Sequence, residues 1–152
     1  MLLRMVTTLI DRASAQDAEA LTALVQASRA YEGRYAPMVA GYRVTADSIE
    51  RHPVYKAADP AGRVLGFYVL LLDDAELDPA FVADEAQGLG IGRLLMEHMF
   101  GHAGEAGLPH VRVVSHPPAE KFYRRTGARR TGTVAPVPPK VTWERPEPRF
   151  EL

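Results

Sequence analysis

The segment Gln87-Gly88-Leu89-Gly90-Ile91-Gly92-Arg93 places three glycines at alternate positions directly before a predicted helix. Glycine adopts positive φ angles and, having no side chain, lets another group approach the backbone. The first amides of a helix lack partners within the helix, and the helix dipole puts partial positive charge there. Arg93 adds a full positive charge at the same point. The segment therefore predicts a diphosphate site, although the glycines alone also fit a tight strand-to-helix turn.

Two other kinds of phosphate-binding loop are excluded by the same residues. A P-loop ends in Gly-Lys-Ser/Thr, whereas this segment continues Gly92-Arg93-Leu94. The dinucleotide fingerprint requires a glycine at its sixth position, and that position falls here on Arg93 or Leu95. That fingerprint also follows the first strand of its fold, whereas four predicted strands precede this loop.

The sequence around the loop predicts a mixed order of strands and helices. Strands are predicted at 9–13, 54–58, 63–72, 76–82 and 111–114, with short strands near 129–134 and 141–145. Helices are predicted at 15–30, 46–51, 90–105 and from 118 or 119 to 127. The nearly continuous apolar strand 63–72 indicates a central strand covered on both faces, and Pro79 favours a bulge in strand 76–82. Because helices follow only some strands, we expect an α/β (α+β) domain with a mixed sheet.

Helix 90–105 carries an apolar stripe at helical spacing. The residues predicted to form its buried face are Ile91, Leu94, Leu95, Met99 and Ala103. Gly107 is predicted to cap its C-terminal end.

The composition predicts one globular domain of 152 residues, of which 47% are apolar and 24% charged. The net charge of -1 gives no electrostatic basis for binding nucleic acid or a membrane. The absence of cysteine excludes a disulfide, a thiolate metal site and a cysteine nucleophile. The apolar start, residues 1–6, is too short for a signal peptide, and no apolar run reaches the length of a membrane span. We therefore expect a cytoplasmic protein.

A second motif, Ala119-Glu120-Lys121-Phe122-Tyr123-Arg124-Arg125-Thr126-Gly127-Ala128, follows the glycine loop after about 30 residues. Together the two motifs resemble the GNAT superfamily of N-acetyltransferases. Its motif A, Arg/Gln-x-x-Gly-x-Gly/Ala, fits Gln87 to Gly92. Its Ala-x-x-φ-Tyr-x-x-x-Gly-Phe helix, where φ is apolar, is similar to Ala119 to Ala128, which has alanine in place of the final phenylalanine. The opening from Ile10 to Asp17 is also similar to the start of that family. The resemblance covers nearly all of the chain up to about residue 130.

The resemblance implies a single GNAT domain over residues 1–152, with a mostly antiparallel sheet flanked by helices and splayed strands at an acetyl-CoA site. In that family the loop amides bind the pyrophosphate and the preceding strand pairs with the pantetheine arm. The implied cofactor-binding residues are Val82, Ala83, Gln87, Gly88, Leu89, Gly90, Ile91, Gly92, Arg93, His116 and Phe122. The implied reaction transfers acetyl from acetyl-CoA to a primary amine of a small molecule or peptide, by direct attack in a ternary complex and without a metal.

Two side chains are candidate catalytic groups. Tyr123 matches the family tyrosine that supplies a proton to the leaving thiolate. Glu76 lies eleven positions before Gln87, where the histone-type branch of the family has a glutamate as general base. Asp78, on the same strand face, would complete an acidic notch that binds the amine. His116 stands where the family often has asparagine, so it could bond the cofactor arm, act as base or merely end a strand.

Tyr31 and Tyr35, with Tyr42, fall where this family builds its acceptor pocket, between the first two helices. Aromatic walls above an acidic floor suit a cationic amine, although the same rings could form a dimer surface or part of the core. His98 and His102 are expected to pack rather than to bind a metal, because no His-Glu-x-x-His pattern is present.

Two segments allow more than one role. Four arginines could meet the 3′-phosphate of coenzyme A or simply face solvent: Arg124, Arg125, Arg129 and Arg130. The proline-rich end, about 135–152, is expected to be a variable tail that covers the acceptor site or exchanges in a homodimer.

Two alternatives to an enzyme stay open. One is a non-catalytic acyl-CoA-binding or regulatory module, and the other is a nucleotide-binding domain of another type.

Overall fold

The computed structural model describes residues 8–152, and their seven strands form one sheet in the order β1-β2-β3-β4-β5-β7-β6. The strands are β1 (Leu9–Arg12), β2 (Val54–Ala58), β3 (Val64–Leu71), β4 (Glu76–Val82), β5 (His110–Arg112), β6 (Arg129–Val134) and β7 (Arg145–Glu151). Neighbours are antiparallel except β4 and β5, which are parallel. This confirms the mixed, mostly antiparallel sheet expected from the sequence.

Helices pack on both faces of the sheet, and each face has its own core. The helices are α1 (Ala18–Ala27), α2 (Ala46–Arg51), α3 (Ile91–Glu105) and α4 (Glu120–Arg125). Leu21 and Ile49 of the first two helices pack with Phe67 of β3. Leu95 of α3 packs with Tyr68 from the opposite face of the same strand. Residues 65–70 of β3 are all buried, so the prediction of a central strand covered on both faces is confirmed.

The first predicted helix is shorter than the expected range of 15–30. A 3₁₀ turn (Ala15–Asp17) precedes α1, and the Asp17 carboxylate accepts the Ser14 N–H at 2.8 Å. The helix ends at Ala27, and a second 3₁₀ turn (Arg29–Tyr31) follows, in which the Ser28 hydroxyl accepts the Ala30 N–H. Serine bonds nearby backbone groups in this way and so competes with helix continuation.

The buried face of α3 differs from the prediction at one position. Met96 is buried at 1% exposure, whereas Leu94, which we predicted to be buried, is 36% exposed. Ile91, Leu95, Met99 and Ala103 are buried as expected. These four residues lie in one row of i, i+4 spacing, and Leu94 lies on the solvent side of that row. Gly107 ends the helix region with a φ of 80°, as predicted.

β4 contains the bulge that the sequence favoured at Pro79. Tyr68 pairs with Ala80 and Leu70 with Leu77, so one residue of β3 stands opposite two residues of β4, Asp78 and Pro79. Bulged residues shift the alternation of side chains between the two faces. As a result Leu77 belongs to the core beneath α3, while Phe81, four residues later, belongs to the core beneath α1.

The parallel strands β4 and β5 separate after a single pair, Glu76 with Arg112. Beyond that pair the chain after β5 bonds β7 instead, because the N–H groups of Val113 and Ser115 donate to the carbonyls of Pro148 and Pro146 at 2.9 and 3.0 Å. The two strands therefore splay apart, which confirms the expected splay and opens a cleft between them.

The second half of the proline-rich segment is a strand, and this corrects two expectations. The strand predicted near 141–145 is wrong: β7 runs from Arg145 to Glu151 and lies between β5 and β6 rather than in a loose tail. Proline has no N–H to donate and is rare in interior strands. Here Pro146 and Pro148 still take part in pairing through their carbonyl groups.

A substitution of Gly66 in β3 should loosen the sheet beside the cleft. A Cβ at this position would lie 2.7 Å from the carbonyl oxygen of Phe81 and 3.1 Å from Leu95 Cδ1. Gly66→Ala should therefore destabilise the fold by about 1–3 kcal/mol, which lowers the melting temperature by about 2–4 °C per kcal/mol.

Gly104→Ala in α3 is the matched control, since a Cβ there has no atom within 4 Å. Alanine favours helices over glycine by about 0.8–1.0 kcal/mol, so this variant should melt at or above the wild-type temperature. Thermal unfolding measures both variants, and an unchanged melting temperature for Gly66→Ala would contradict the prediction.

Candidate functional site

The splay between β4 and β5 opens a cleft of about 490 Å³. Its wall is built by the end of β4, the glycine loop, the start of α3, α4, His116 and residues 28–31. The predicted site residues on this wall are Tyr31, Val82, Gln87, Gly88, Gly90, Ile91, Gly92, Arg93, His116, Phe122 and Tyr123. The fold thus brings together two motifs that are separated by about 30 residues in the sequence.

The glycine loop presents open backbone to the cleft. Gly88 and Gly90 both have φ angles of 81°, which other residues rarely adopt, and among residues 8–152 no atom lies within 4 Å of a Cβ built on either one. Gly90 is the N-cap of α3, and its carbonyl accepts the Leu94 N–H at 3.0 Å. The first amides of α3 therefore point out of the helix towards the cleft, as an anion site requires.

Gly92 has a different role from the other two glycines. A Cβ at this position would lie 2.7 Å from the ring of Phe122. The absence of a side chain on α3 therefore makes room for this aromatic ring of α4, which forms part of the cleft wall.

Some predicted cofactor-binding residues lie off the cleft wall. Leu89 is 61% exposed at the loop tip. The Ala83 N–H donates to the Leu65 carbonyl at 2.8 Å, and the Ala83 carbonyl accepts the Ala86 N–H at 2.9 Å. Because successive backbone groups of a strand point to opposite edges, the neighbouring Val82 directs its backbone into the cleft. The Gln87 amide bonds the Val82 carbonyl at 3.1 Å and so fixes the loop to the strand.

Tyr123 presents a protonated hydroxyl to the cleft. Its side chain is buried, and this burial raises the pKa of the phenol well above its ordinary value of 10, with smaller contributions from Tyr31 and Asp78. No hydrogen-bond partner for the hydroxyl lies within residues 8–152. The rings of Phe122 and Phe150 hold the phenol edge-on, with centroids at 5.2 and 6.4 Å. The phenol is therefore protonated at neutral pH, as the predicted role of proton donor requires.

His116 lies on the wall of the same cleft and has an unpartnered hydrogen-bond acceptor within residues 8–152. Only 3% of the residue is exposed, and Nε2 lies 2.9 Å from the carbonyl oxygen of Ala30. Because a carbonyl only accepts, Nε2 is assigned the proton, and Nδ1 of the neutral ring is left as an acceptor. Nδ1 is buried with no partner in residues 8–152. The ring of Tyr31 stacks on the imidazole at 3.9 Å.

The burial of His116 should make the fold less stable in mild acid. Burial lowers the pKa of this imidazole below its ordinary value of 6.5, so the unfolded chain binds the proton more readily than the folded chain. Stability contributed by the neutral ring is therefore complete above pH 6.5 and is lost as the pH falls towards the folded-state pKa.

The measurement is the melting temperature of wild type and His116→Gln at pH 7.5 and 5.5. Glutamine keeps a donor for the Ala30 carbonyl but does not titrate, and all other groups are common to both proteins. The wild type should lose more stability than the variant on acidification. Equal losses would show that His116 is not the group responsible.

The two acidic residues of β4 have different surroundings. Arg112 bonds Glu76 and Glu147, each at 3.2 Å, so Glu76 is held in an ion pair. Burial raises the pKa of Glu76, and Asp78 raises it further, against the opposing effect of Arg112. The carboxylate of Asp78 is open to solvent on one side and has no ion pair in the described chain. Beyond the larger effect of burial, its charge also raises the pKa of Tyr31 and of Tyr123.

An aromatic cluster adjoins the cleft through two wall residues, Tyr31 and His116. Tyr35 meets the ring of His116 edge-on at 5.5 Å and that of Trp143 at 4.8 Å, and Arg34 lies over both Tyr35 and Trp143. Trp143 and Arg34 were not predicted from the sequence, where the signal for the former was a single tryptophan in a proline-rich segment.

The clustered arginines and His98, the remaining candidate site residues, are placed by their contacts. Of the four clustered arginines, Arg125 lies on the cleft wall, while Arg130 pairs with Glu120 at 3.4 Å. His98 bonds the hydroxyl of Tyr68 at 2.8 Å and packs away from the cleft, as expected. Residues 8–152 contain no group of three or more side chains placed to hold a metal ion. In that same range no helix is long and apolar enough to cross a membrane.

Residues 46–135 match the family model described as Acetyltransferase (GNAT) domain. The match covers more than half of the chain and contains the glycine loop, His116 and Tyr123. Comparison with curated proteins gave no match.

Solved structures with the same fold include a GCN5-related N-acetyltransferase from Rhodopseudomonas palustris, with 17% identity, complete coverage of both chains and a TM-score of 0.79. An IAA acetyltransferase from Bacillus cereus has 21% identity and a TM-score of 0.70, over 96% of this chain and 100% of that one. The ribosomal-protein-S18-alanine N-acetyltransferase from Escherichia coli has 16% identity and a TM-score of 0.70, over 95% and 94%. At these identities the likeness establishes the fold.

Proposed function

The chain belongs to the GNAT acetyltransferase family, and from this membership we propose that it transfers acetyl from acetyl-CoA to a primary amine of a small molecule or peptide. The observation that carries the proposal is the shared cleft of a proton donor, Tyr123, and a glycine loop with open amides. A non-catalytic acyl-CoA-binding module would need the loop but not a buried phenol with a raised pKa. The expected homodimer and cytoplasmic location stay predictions.

The residues of the cleft fit acetyl-CoA as co-substrate. The open amides at Gly88, Gly90 and the start of α3 suit the pyrophosphate. Arg93 and Arg125, both on the wall, supply positive charge for the phosphates. The Nδ1 atom of His116 is a buried acceptor without a partner, and an amide N–H of the pantetheine arm would satisfy it. Ala83 is proposed to contact the arm through its side chain only, since both of its backbone groups are bonded.

In the proposed reaction the thioester supplies an activated acyl group, and the side chains of the cleft direct the proton transfers. Asp78 binds the amine as an ammonium ion, which must lose a proton to become a nucleophile. Tyr123 donates a proton to sulfur as the carbon–sulfur bond breaks and the carbon–nitrogen bond forms. Glu76, His116 or water takes up the first proton, which the ammonium loses before attack, and passes it to solvent; the role of Glu76 as base stays a prediction. The second proton, lost from nitrogen as the amide forms, restores Tyr123 through solvent, so the products are an N-acetylated amine, the free thiol and one released proton.

Calorimetry with acetyl-CoA, coenzyme A and NAD tests the cofactor. We expect binding of the first two only, and Arg125→Ala should weaken it by about tenfold, the loss of one charge-assisted contact of roughly 1.5 kcal/mol. Arg129→Ala is the matched control, because Arg129 is exposed and lies off the cleft wall. Tight binding of NAD without coenzyme A would overturn the proposal.

Release of free thiol with a panel of amines tests catalysis. Thiol release that depends on both acetyl-CoA and an amine supports the transferase. Binding of acetyl-CoA without thiol release from any amine would favour the non-catalytic module.

A further inference from the structure

Asp78 lies on β4, two residues past the Glu76–Arg112 pair at which β4 and β5 separate, and Arg145 lies on β7; neither makes an ion pair within residues 8–152. The bond from the Ser115 N–H to the Pro146 carbonyl sets residue 145 beside His116. Pro146 and Phe150 are buried, and Phe150 belongs to the core beneath α3, so by strand alternation Arg145 points to the opposite face. The ring of His116 stacks with Tyr31 on that face, at the mouth of the cleft.

Two other carboxylates on this face share one cation. Arg112 bonds both Glu76 and Glu147 at 3.2 Å. These three residues form one bonded group, with one more carboxylate than guanidinium, and Asp78 and Arg145 lie outside it. The sequence predicted an acidic floor for the amine site, whereas this face of the sheet carries arginine side chains as well as carboxylates.

Arg145 is a half-buried guanidinium in need of an anion. Its Nε atom is buried and has no hydrogen-bond partner, and the group makes no ion pair within residues 8–152. An unpaired cation that has lost part of its hydration is destabilising, and the planar guanidinium fork matches a carboxylate. Burial raises the pKa of Asp78, and the positive charge of Arg145 opposes that rise. The two groups are therefore neighbours that are not paired with each other.

We infer that the acceptor is a zwitterion, a free amino acid or a close analogue, whose ammonium group binds Asp78 and whose carboxylate binds Arg145. This inference rests on the proposed function and names the substrate class for the same site. Polyamines and aminoglycosides carry several positive charges and no carboxylate, so they would leave Arg145 unpaired and place further cations beside it. A peptide N-terminus lacks a carboxylate beside its amine and leaves Arg145 unpaired.

Matched substrate pairs test the inference by thiol release. The probes are free amino acids, each compared with the amine that its decarboxylation gives, such as phenylalanine with phenethylamine and histidine with histamine. We expect kcat/KM to favour the amino acid on the order of 100-fold, the effect of truncating one partner of a bonded charge pair. Arg145→Met should abolish this preference by slowing the amino acid and not the amine.

Arg149→Met is the control variant. Arg149 also has a buried, unpartnered Nε and lies on the same face of β7, but four residues further along, or roughly 13 Å away. This variant should keep the wild-type preference. Arg145→Lys retains the positive charge but lacks the planar guanidinium, so its preference for the amino acid over the amine should be intermediate. An intermediate preference shows that the variant is folded and that the guanidinium contributes to recognition.

Calorimetry of the same probes on the protein saturated with coenzyme A separates this inference from the proposed function. Tighter binding of amino acids than of amines, lost in Arg145→Met, supports the zwitterion site even where no thiol is released. A wild-type preference for the amines, no binding of any amino acid, or a preference for amino acids that survives Arg145→Met would overturn it.

Discussion

Replacing Tyr123 with phenylalanine is expected to lower kcat for acetyl transfer by about 10²-fold or more, the contribution typical of a positioned general acid. The phenol lies on the cleft wall, and its raised pKa keeps it protonated at neutral pH. Phenylalanine preserves the ring contacts with Phe122 and Phe150, so the affinity for acetyl-CoA should stay close to that of wild type. Steady-state thiol release and calorimetry measure the two quantities separately.

Tyr55→Phe is the control for that variant. The hydroxyl of Tyr55 lies 3.5 Å from His102 of α3 and away from the cleft wall. This variant should keep the wild-type kcat. An unchanged kcat in Tyr123→Phe would rule out the phenol as the proton donor, and a loss of affinity with unchanged kcat would reduce its role to binding.

Replacing Phe150 with alanine is expected to destabilise the fold by about 3–5 kcal/mol, the usual effect of truncating a buried phenylalanine. Phe150 is 2% exposed on β7 and meets the ring of Phe100 at 5.0 Å. For a chain of this length each kcal/mol lowers the melting temperature by about 2–4 °C, so the expected fall is on the order of 10 °C. Thermal or denaturant unfolding measures it.

Leu152→Ala is the matched control at the same end of the chain. Leu152 is 46% exposed, and surface substitutions usually change stability by less than about 0.5 kcal/mol. If both variants unfolded alike, β7 would add nothing to the core, and the account of the proline-rich segment as a structural strand would be wrong.

The sequence predicted the elements whose signals are local. The apolar run of β3, the helical stripe of α3 and the turn residues between them gave the right type of element in the right order. β7 was misplaced because Pro146 and Pro148 are signals against an interior strand. Only the carbonyl bonds to Val113 and Ser115 explain why those prolines are tolerated, and such bonds between distant segments leave no local pattern.

The candidate site residues that belong to a sequence motif could be predicted from the sequence. The glycine loop and Tyr123 were found from two motifs, and the structure places both on one cleft. The role of Gly92 and the proposed role of Arg145 were not predictable, since each depends on neighbours from elsewhere in the chain. Gly92 makes room for Phe122. Arg145 enters the proposal because it has no ion pair within residues 8–152, whereas Arg112 is paired with two carboxylates.

The position of β7 also makes the two halves of the sheet unequal. β1 to β4 each pair with the strand that follows in the chain. Within the described residues β6 pairs only with β7, and β5 has a single pair with β4, so the other half of the sheet depends on β7. The cleft lies between the two halves. A chain truncated before Arg145 is therefore expected to keep the pairing of β1 to β4 and to lack a complete cleft.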